Sequence, residues 1–159
     1  MNATRWIMGI TALAAASLPA AAEVNVKFVE PDRYSDSGSL FDRKGVLDGL
    51  ERHLKWLGDR YLAAGQVLQV DVLDVDLAGR MEASRGALPE LRVVRSGADW
   101  PRIRLQYTLK SGDKVLKEGK DDVADMNYLV QGPSRYRNEP LAYERYMLEE
   151  WFKAKFAGK

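Results

Sequence analysis

Cysteine is absent from this 159-residue chain, and histidine occurs once, at position 53. Without cysteine no disulfide can hold the fold, so stability has to come from packing. Zinc sites built from Cys ligands, or from two or three His, are excluded. A Ser-His-Asp triad is arithmetically possible, but the Gly-x-Ser-x-Gly motif of a nucleophile elbow is missing. The sequence therefore indicates no cofactor, no metal ligand set and no catalytic residues, and His53 is interpreted as structural.

An excess of charge of either sign is also missing. Lys and Arg total 24, whereas Asp and Glu total 23. Surfaces that bind nucleic acid or anionic membranes need a basic excess. We therefore expect neither nucleic acid nor a membrane surface as the main partner.

The N-terminal segment has the three parts of a secretory signal peptide. Arg5 is a short positive region, residues 6–18 are mostly apolar, and residues 19–22 supply small side chains for cleavage. The apolar run is shorter than the roughly 20 residues that a spanning helix needs. We predict a signal peptide over residues 1–22, cleaved after Ala22, and one domain over residues 23–159 with no membrane span. Because no cysteine follows the cleavage site, the exported protein is not a lipoprotein.

The clearest structural signal lies between Asp99 and Lys120. Apolar and polar residues alternate on both sides of the turn-forming segment Ser111 to Lys114, which predicts a β-hairpin. One face of the hairpin should be in water and the other against the core. The corner formed by residues 99–102 could bind a ligand through Trp100. It is interpreted instead as the strand entry that sets the register of the hairpin.

Two helices are predicted, because apolar residues recur at three- and four-residue steps in two segments. The segments are Arg43 to Ala64 and Leu141 to Phe156. Gly45 and Gly49 in the first are interpreted as positions of close packing on the sheet. The second carries an aromatic stripe that is interpreted as core or interface: Tyr143, Met147, Trp151 and Phe152.

Further strands are predicted at Val24 to Val29, at Gln66 to Leu77 and, as a short one, at Leu91 to Val94, with a loop at Ala78 to Pro89. In the second of these the apolar row changes faces near Val72, which predicts a β-bulge. The predicted fold class is α+β, a single domain. A mostly antiparallel sheet of about four or five strands carries two helices on one face, in the order β-α-β-(β)-β-β-α.

Three aspartates, Asp71, Asp74 and Asp76, lie close together at the end of the long strand. Two of them share a strand face and could hold Ca²⁺ or Mg²⁺. The spacing does not match a calcium-binding loop, since Ala78 stands where another oxygen ligand is needed. A strand end that reaches solvent is the favoured interpretation.

The candidate binding residues lie on the loop between Asp125 and Arg137, which the hairpin positions. Asn, Tyr and Arg side chains on irregular backbone suit a sugar, a phosphate or a peptide terminus. A loop pinned by Asn and Tyr hydrogen bonds is the competing interpretation. The candidate ligand-binding residues are Asp125, Asn127, Tyr128, Arg135, Tyr136 and Arg137.

Five segments in order along the chain resemble the bacterial exported family grouped as domain of unknown function 3016. These segments are residues 26–36, 72–79, 99–109, 125–129 and 143–152. The resemblance implies a Gram-negative, periplasmic protein without an assigned activity. More loosely, the element order is similar to that of small envelope lipoproteins of lipopolysaccharide assembly and lipid transport, which is an analogy of fold alone.

The favoured hypothesis is a non-catalytic periplasmic binding or accessory module of the cell envelope. Its partner would be another envelope protein or a small ligand. The first alternative is a small hydrolase or lyase that uses Asp and Tyr groups, which requires two carboxylates facing each other across a pocket. The second alternative is a protein that binds a divalent metal ion.

Overall fold

A computed structural model describes residues 21–39, 42–83, 90–95, 99–130, 135–136 and 138–157. Within these ranges the chain forms six strands, two α-helices and one 3-10 turn. In chain order they are β1 (Glu23–Phe28), the 3-10 turn (Pro31–Arg33), α1 (Arg43–Tyr61), β2 (Gln66–Asp76), β3 (Arg80–Ala83), β4 (Glu90–Val93), β5 (Arg102–Ser111), β6 (Lys114–Ala124) and α2 (Ala142–Phe156).

The main sheet has four strands in the order β1-β2-β5-β6. β1 runs parallel to β2, with α1 in the connection, and the other neighbours are antiparallel. β3 and β4 form a separate antiparallel ribbon.

The predicted α+β class with a mostly antiparallel sheet is confirmed, with six strands instead of four or five. The predicted loop at Ala78 to Pro89 was wrong over Arg80–Ala83, where pairing with the next strand, β4, and not local alternation, makes β3.

Two predicted details of the sheet are confirmed. The register between β2 and β5 shifts between Val72 and Asp74, so a bulge lies there. Val75 beyond the shift is buried again, as the change of faces requires. β5 and β6 form the predicted hairpin, and Ser111 pairs with Lys114 across a two-residue turn. Gly112 in this turn has a φ of +56°, which glycine adopts without strain.

The core lies between one face of the main sheet and both helices. The apolar stripe of α1, the aromatic residues of α2 and the inward residues of β2 and β5 form one buried cluster. The opposite sheet face is polar and carries Gln69, Arg104 and Gln106 in water. This arrangement agrees with the prediction of one wet face and two helices on the other. Neither α1 nor α2 is both long enough and apolar enough to cross a membrane.

The inner face of β6 is polar where α2 passes over it. The indole Nε1 of Trp151 donates to Asp121 Oδ2 at 2.8 Å, and Lys155 Nζ donates to the other oxygen of Asp121 at 3.1 Å. Lys117 Nζ donates to the carbonyl of Lys155 at 2.6 Å. The hairpin therefore holds the C-terminal half of α2 through hydrogen bonds, in addition to apolar packing.

α1 approaches β1 closely at Gly58. A Cβ atom at this position would lie 2.1 Å from Cγ2 of Val24 in β1. The prediction placed such packing at Gly45 and Gly49. At Gly49 the nearest atom to a Cβ belongs instead to Leu141, which precedes α2, and at Gly45 it belongs to Asp42.

We expect Gly58→Ala to destabilise the protein, because the methyl group would push α1 away from β1. Overpacking of this kind costs about 1–3 kcal/mol. The matched control is Gly45→Ala, whose methyl group meets only the flexible Asp42 carboxylate at 3.3 Å. The control should retain or gain stability, since Ala favours a helix over Gly by up to about 1 kcal/mol. Urea unfolding of both variants measures this. Equal stability of the two would contradict the close approach.

Candidate functional site

A cavity of about 500 Å³ opens between α1, α2 and the connection that leads into α2. This volume is in the range of about 300–1,000 Å³ that small-molecule sites occupy. We call it the arginine cavity. It is lined by Arg52, His53, Trp56, Arg135, Tyr136, Glu139 and Arg145.

α1 supplies an aromatic wall of the arginine cavity. His53 and Trp56 are three residues apart and therefore lie on one side of the helix. Their rings stack, with centroids 5.6 Å apart and planes inclined by 18°. The ring of Tyr136 meets His53 edge-on at 5.5 Å. His53 is buried, whereas Trp56 is 38% exposed at the edge of the wall. Arg52, four residues before Trp56, adds a guanidinium group on the same side of α1.

His53 contributes shape to the cavity and no charge. Its Nε2 donates to the backbone carbonyl of Arg145 at 2.9 Å, which ties α1 to α2. Burial lowers the pKa of His53 to about 4, although the hydrogen bond to this carbonyl opposes the shift. The imidazole is therefore neutral at physiological pH.

A buried carboxylate, Glu149 of α2, fixes the opposite wall. This residue is 1% exposed. Its oxygens accept hydrogen bonds from the hydroxyl groups of Tyr61 at 2.8 Å and Tyr136 at 2.6 Å, and from Nη1 of Arg135 at 2.7 Å. Lys153 Nζ lies 3.2 Å away.

The pKa of Glu149 follows from these contacts. Burial alone would raise it, but the hydrogen bonds from Tyr136, Tyr61 and Lys153 outweigh burial and lower the pKa to about 2. Burial, together with the hydrogen bond to Glu149, raises the pKa of the Tyr136 phenol. Glu149 is therefore ionised and Tyr136 protonated at every physiological pH.

The segment before α2 enters the helix through a left-handed residue, Leu141, with a φ of +59°. Gly49 of α1 makes room for this side chain, since a Cβ there would lie 3.0 Å from Leu141 Cδ1. The packing of Leu141 against α1 thus sets the path of the chain at Glu139, two residues earlier. Glu139 forms an ion pair with Arg145 of α2.

The three arginines of the cavity retain hydrogen-bonding capacity. Within the described residues, Arg52 forms no ion pair and Arg135 uses only Nη1, towards Glu149. The guanidinium of Arg135 lies 5.6 Å from the ring centroid of Trp56, a cation–π contact that orients it. Arg145 uses Nη1 towards Glu139, while its Nε is buried and has no acceptor in the part of the chain that the structure describes.

The electrostatic balance of the lining is positive. In the described part of the lining, three guanidinium groups face one carboxylate, that of Glu139, and His53 is neutral. Guanidinium groups present planar pairs of donors that match carboxylate and phosphate oxygens. The arrangement therefore suits the binding of an oxyanion. Among the lining residues that the structure describes, none is a Ser, Thr, Cys or Lys that could act as a nucleophile.

The residues predicted as a binding set do not all come together. Arg135 and Tyr136 line the arginine cavity. Asp125 lines a different cavity, of about 390 Å³, and its Oδ1 accepts from the amide of Asn127 at 2.9 Å. Tyr128 is buried, and its hydroxyl donates to the carbonyl of Arg95 at 2.8 Å. Arg137 lies outside the described residues.

Two of the aspartates considered for metal binding or catalysis, Asp74 and Asp99, are engaged by neighbouring side chains. Asp74 accepts from the amide and the hydroxyl of Ser35, both at 2.8 Å, and from Arg104 at 3.0 Å. Asp99 pairs with Arg80 at 3.0 Å. In the described ranges no three His, Cys, Asp or Glu side chains are grouped so that they could hold a metal ion.

Sequence reasoning missed Arg52, Trp56, Arg145 and Glu149. One signal was available on α2, because Arg145 and Glu149 stand at helical spacing from the core residue Phe152. A glutamate within an apolar stripe is taken out of water when the stripe packs, and its carboxylate then needs hydrogen-bond donors. The partners themselves come from α1 and from the segment before α2. No local pattern in the sequence brings these segments together.

We expect Glu149→Gln to lower stability at neutral pH and to weaken its dependence on pH. The pKa of about 2 lies below the ordinary 4.5, so ionised Glu149 contributes stability above pH 4.5 that is lost as the pH falls towards 2. At pH 7 the substitution should lower the free energy of unfolding by about 3 kcal/mol.

Urea unfolding from pH 7 to pH 2.5 measures this, with Glu150→Gln as the matched control. Glu150 is half-exposed and pairs with the same Lys153, at 2.9 Å. The control should unfold like the native protein, since exposed pairs contribute about 1 kcal/mol or less. Identical pH profiles for the two variants would contradict the role of Glu149.

Comparison with known proteins places the chain in a family. The sequence profile described as "Protein of unknown function (DUF3016)" matches residues 22–154, which include strands β1 to β6 and nearly all of α2. No protein with a curated description matches the chain. The family match confirms the resemblance seen in the five sequence segments, and the chain belongs to the DUF3016 family.

Proposed function

We propose that this protein is a non-catalytic, periplasmic binding module of the cell envelope, and that the arginine cavity takes an anionic small ligand. One observation carries the proposal. Three arginines with unused donors line a cavity of about 500 Å³, and among its described lining residues Glu139 is the one carboxylate. Of the six residues predicted from the sequence, Arg135 and Tyr136 belong to this site.

The charge and the walls of the cavity favour an anion. A cleft lined by charge of one sign concentrates ions of the other sign, and its low-dielectric walls strengthen the effect. The stacked rings of His53 and Trp56 form such a wall. Arg135 is held by Glu149 and over Trp56, so little side-chain entropy is lost when it binds a ligand.

We propose that the cavity is not catalytic because of the protonation states of His53 and Tyr136, the two ring side chains in it that could transfer a proton. A pKa of about 4 makes His53 a weak base at neutral pH. Tyr136 has a raised pKa, and its hydroxyl donates a hydrogen bond to Glu149. Neither group matches the pKa near the working pH that general acid–base catalysis requires.

The periplasmic location rests on the predicted signal peptide. The first strand begins at Glu23, directly after the predicted cleavage site. Val24 is buried in the core, so cleavage further along the chain would remove a core residue. Cleavage after Ala22 leaves the whole of β1 in the mature protein.

Export can be tested with the full-length chain expressed in a Gram-negative host. We expect the periplasmic fraction to contain a protein whose N-terminal residue is Glu23, as read by mass spectrometry. Ala22→Arg should block cleavage, because the peptidase requires a small residue before the cut. That variant should accumulate as precursor. An intact chain in the cytoplasm that retains residues 1–22 would contradict the proposed location.

Anion binding can be tested by thermal shift with the mature protein. The probes are citrate, malonate and glucose 6-phosphate, with glucose and spermidine as neutral and cationic controls. We expect one or more of the anions to raise the Tm, and glucose and spermidine to leave it unchanged. Arg52→Ala should weaken anion binding about tenfold, because it removes a charged hydrogen bond that contributes about 1.4 kcal/mol or more.

The matched control for the arginine variant is Arg33→Ala. Arg33 is an exposed arginine on the 3-10 turn, paired with Glu30 at 2.9 Å, and it does not line the cavity. This variant should bind the anions like the native protein. No response to any anion, or equal binding by the Arg52 and Arg33 variants, would rule out the arginine cavity as the site.

A further inference from the structure

Arg145 is the least exposed of the three arginines that line the cavity. Its side chain is 18% exposed, and its Nε is buried without an acceptor among the described residues. A buried donor left without a partner costs about 1–3 kcal/mol. Native proteins rarely keep such a group unless a ligand, ion or water supplies the acceptor. The side chain therefore offers more donors than Glu139 alone satisfies.

Glu139, the partner of Arg145, is poorly anchored by comparison. Its side chain is about half-exposed, and it stands on the connection before α2, whereas Arg145 stands on the helix itself. An ion pair with one solvated carboxylate contributes about 1 kcal/mol or less. A second oxyanion in the cavity can therefore replace Glu139 at small cost.

We propose that the ligand carries a phosphate monoester, and that this dianion displaces Glu139 from Arg145 when it binds. The inference rests on the proposed anion-binding function and names its ligand class. With Glu139 displaced, three guanidinium groups from α1, α2 and the connecting segment face the cavity. A phosphate monoester offers three terminal oxygens and close to two negative charges, against one charge for a carboxylate. It therefore satisfies more of these donors.

The remaining space suits a compact polar body attached to the phosphate. The cavity of about 500 Å³ exceeds what a phosphate alone would fill, and aromatic rings of Trp56 and Tyr136 line it. A sugar or glycerol unit can place its C–H groups against such rings. The same phosphate chemistry occurs in a free sugar phosphate and in the headgroup of a lipid phosphomonoester.

The affinity should depend on pH through the ligand. The second pKa of a phosphate monoester is about 6, so the dianion forms as the pH rises from 5 to 7. The groups that face it are the three arginines, Glu139, Tyr136 and His53, with Glu149 and Lys153 behind them. His53 is neutral above about pH 4, and Glu149 stays ionised above about pH 2. Neither His53 nor Glu149 therefore changes its charge in this interval.

Isothermal titration calorimetry of the mature protein tests the ligand class. Glucose 6-phosphate is compared with glucuronate, a sugar monoanion of similar size, and with glucose. We expect glucose 6-phosphate to bind about tenfold or more tightly than glucuronate at pH 7.5, and to lose that advantage at pH 5. If glucuronate binds as tightly as glucose 6-phosphate, and Arg52→Ala abolishes that binding, the phosphate monoester is overturned as the ligand class and the proposed function stands. Binding of no anion would overturn both.

A second variant tests the displacement. Glu139→Gln should bind glucose 6-phosphate about two- to fivefold more tightly. In this variant the ligand no longer has to break the ion pair between Arg145 and Glu139, which contributes up to about 1 kcal/mol. The matched control is Glu30→Gln, which removes an exposed carboxylate from the Arg33 pair. It should bind like the native protein. Weaker or unchanged binding by Glu139→Gln would overturn the displacement of Glu139.

Vesicles distinguish the two sources of the phosphate. Sedimentation is compared for phosphatidic acid, a phosphomonoester, and phosphatidylglycerol, a diester, each in phosphatidylcholine. Binding to the first alone, lost on Arg52→Ala, assigns a lipid headgroup. Binding to glucose 6-phosphate without sedimentation assigns a free phosphorylated metabolite. Equal sedimentation with both lipids, together with no binding of glucose 6-phosphate, would overturn the phosphomonoester.

Discussion

A single buried carboxylate, that of Glu149, holds the region around the arginine cavity together. It accepts hydrogen bonds from Tyr61 at the end of α1 and from Arg135 and Tyr136 ahead of α2. Three segments distant in sequence therefore share one charge. Separating any of them would leave this charge short of donors, and breaking a buried pair costs several kcal/mol. The position of Arg135 on the cavity wall is a consequence of this arrangement.

The remainder of the fold acts mainly as a support for α2. The hairpin of β5 and β6 places Asp121 under the helix, where it accepts from Trp151 and Lys155. At its other end the helix is fixed by Leu141, which packs beside Gly49. With both ends held, Arg145 and Glu149 project from a rigid element. Sites built on rigid elements bind with less loss of conformational entropy than sites on loops.

Features that depend on local periodicity were predictable from the sequence, and features that depend only on contacts between separate segments were not. The alternation around Val72 indicated the bulge in β2, and the turn at Gly112 indicated the hairpin. β3 was missed because four residues carry no period of their own and the strand exists only by pairing with β4. At the site, Arg135 and Tyr136 were predicted from their residue types. Arg52 was not predicted as a site residue, because nothing local shows that α2 closes a cavity beside it.

Arginine side-chain NMR offers the most direct measurement of anion binding in the cavity. The Nε–H resonances of the mature protein, assigned with Arg-to-Lys variants, are followed while glucose 6-phosphate is added. Ligation should shift the signals of Arg52 and Arg145 together, with one saturation curve, because both line the same cavity. The signal of Arg33, outside the cavity, should stay in place. Shifts confined to exposed arginines such as Arg33, with Arg145 unchanged at saturation, would contradict an anion site between α1 and α2.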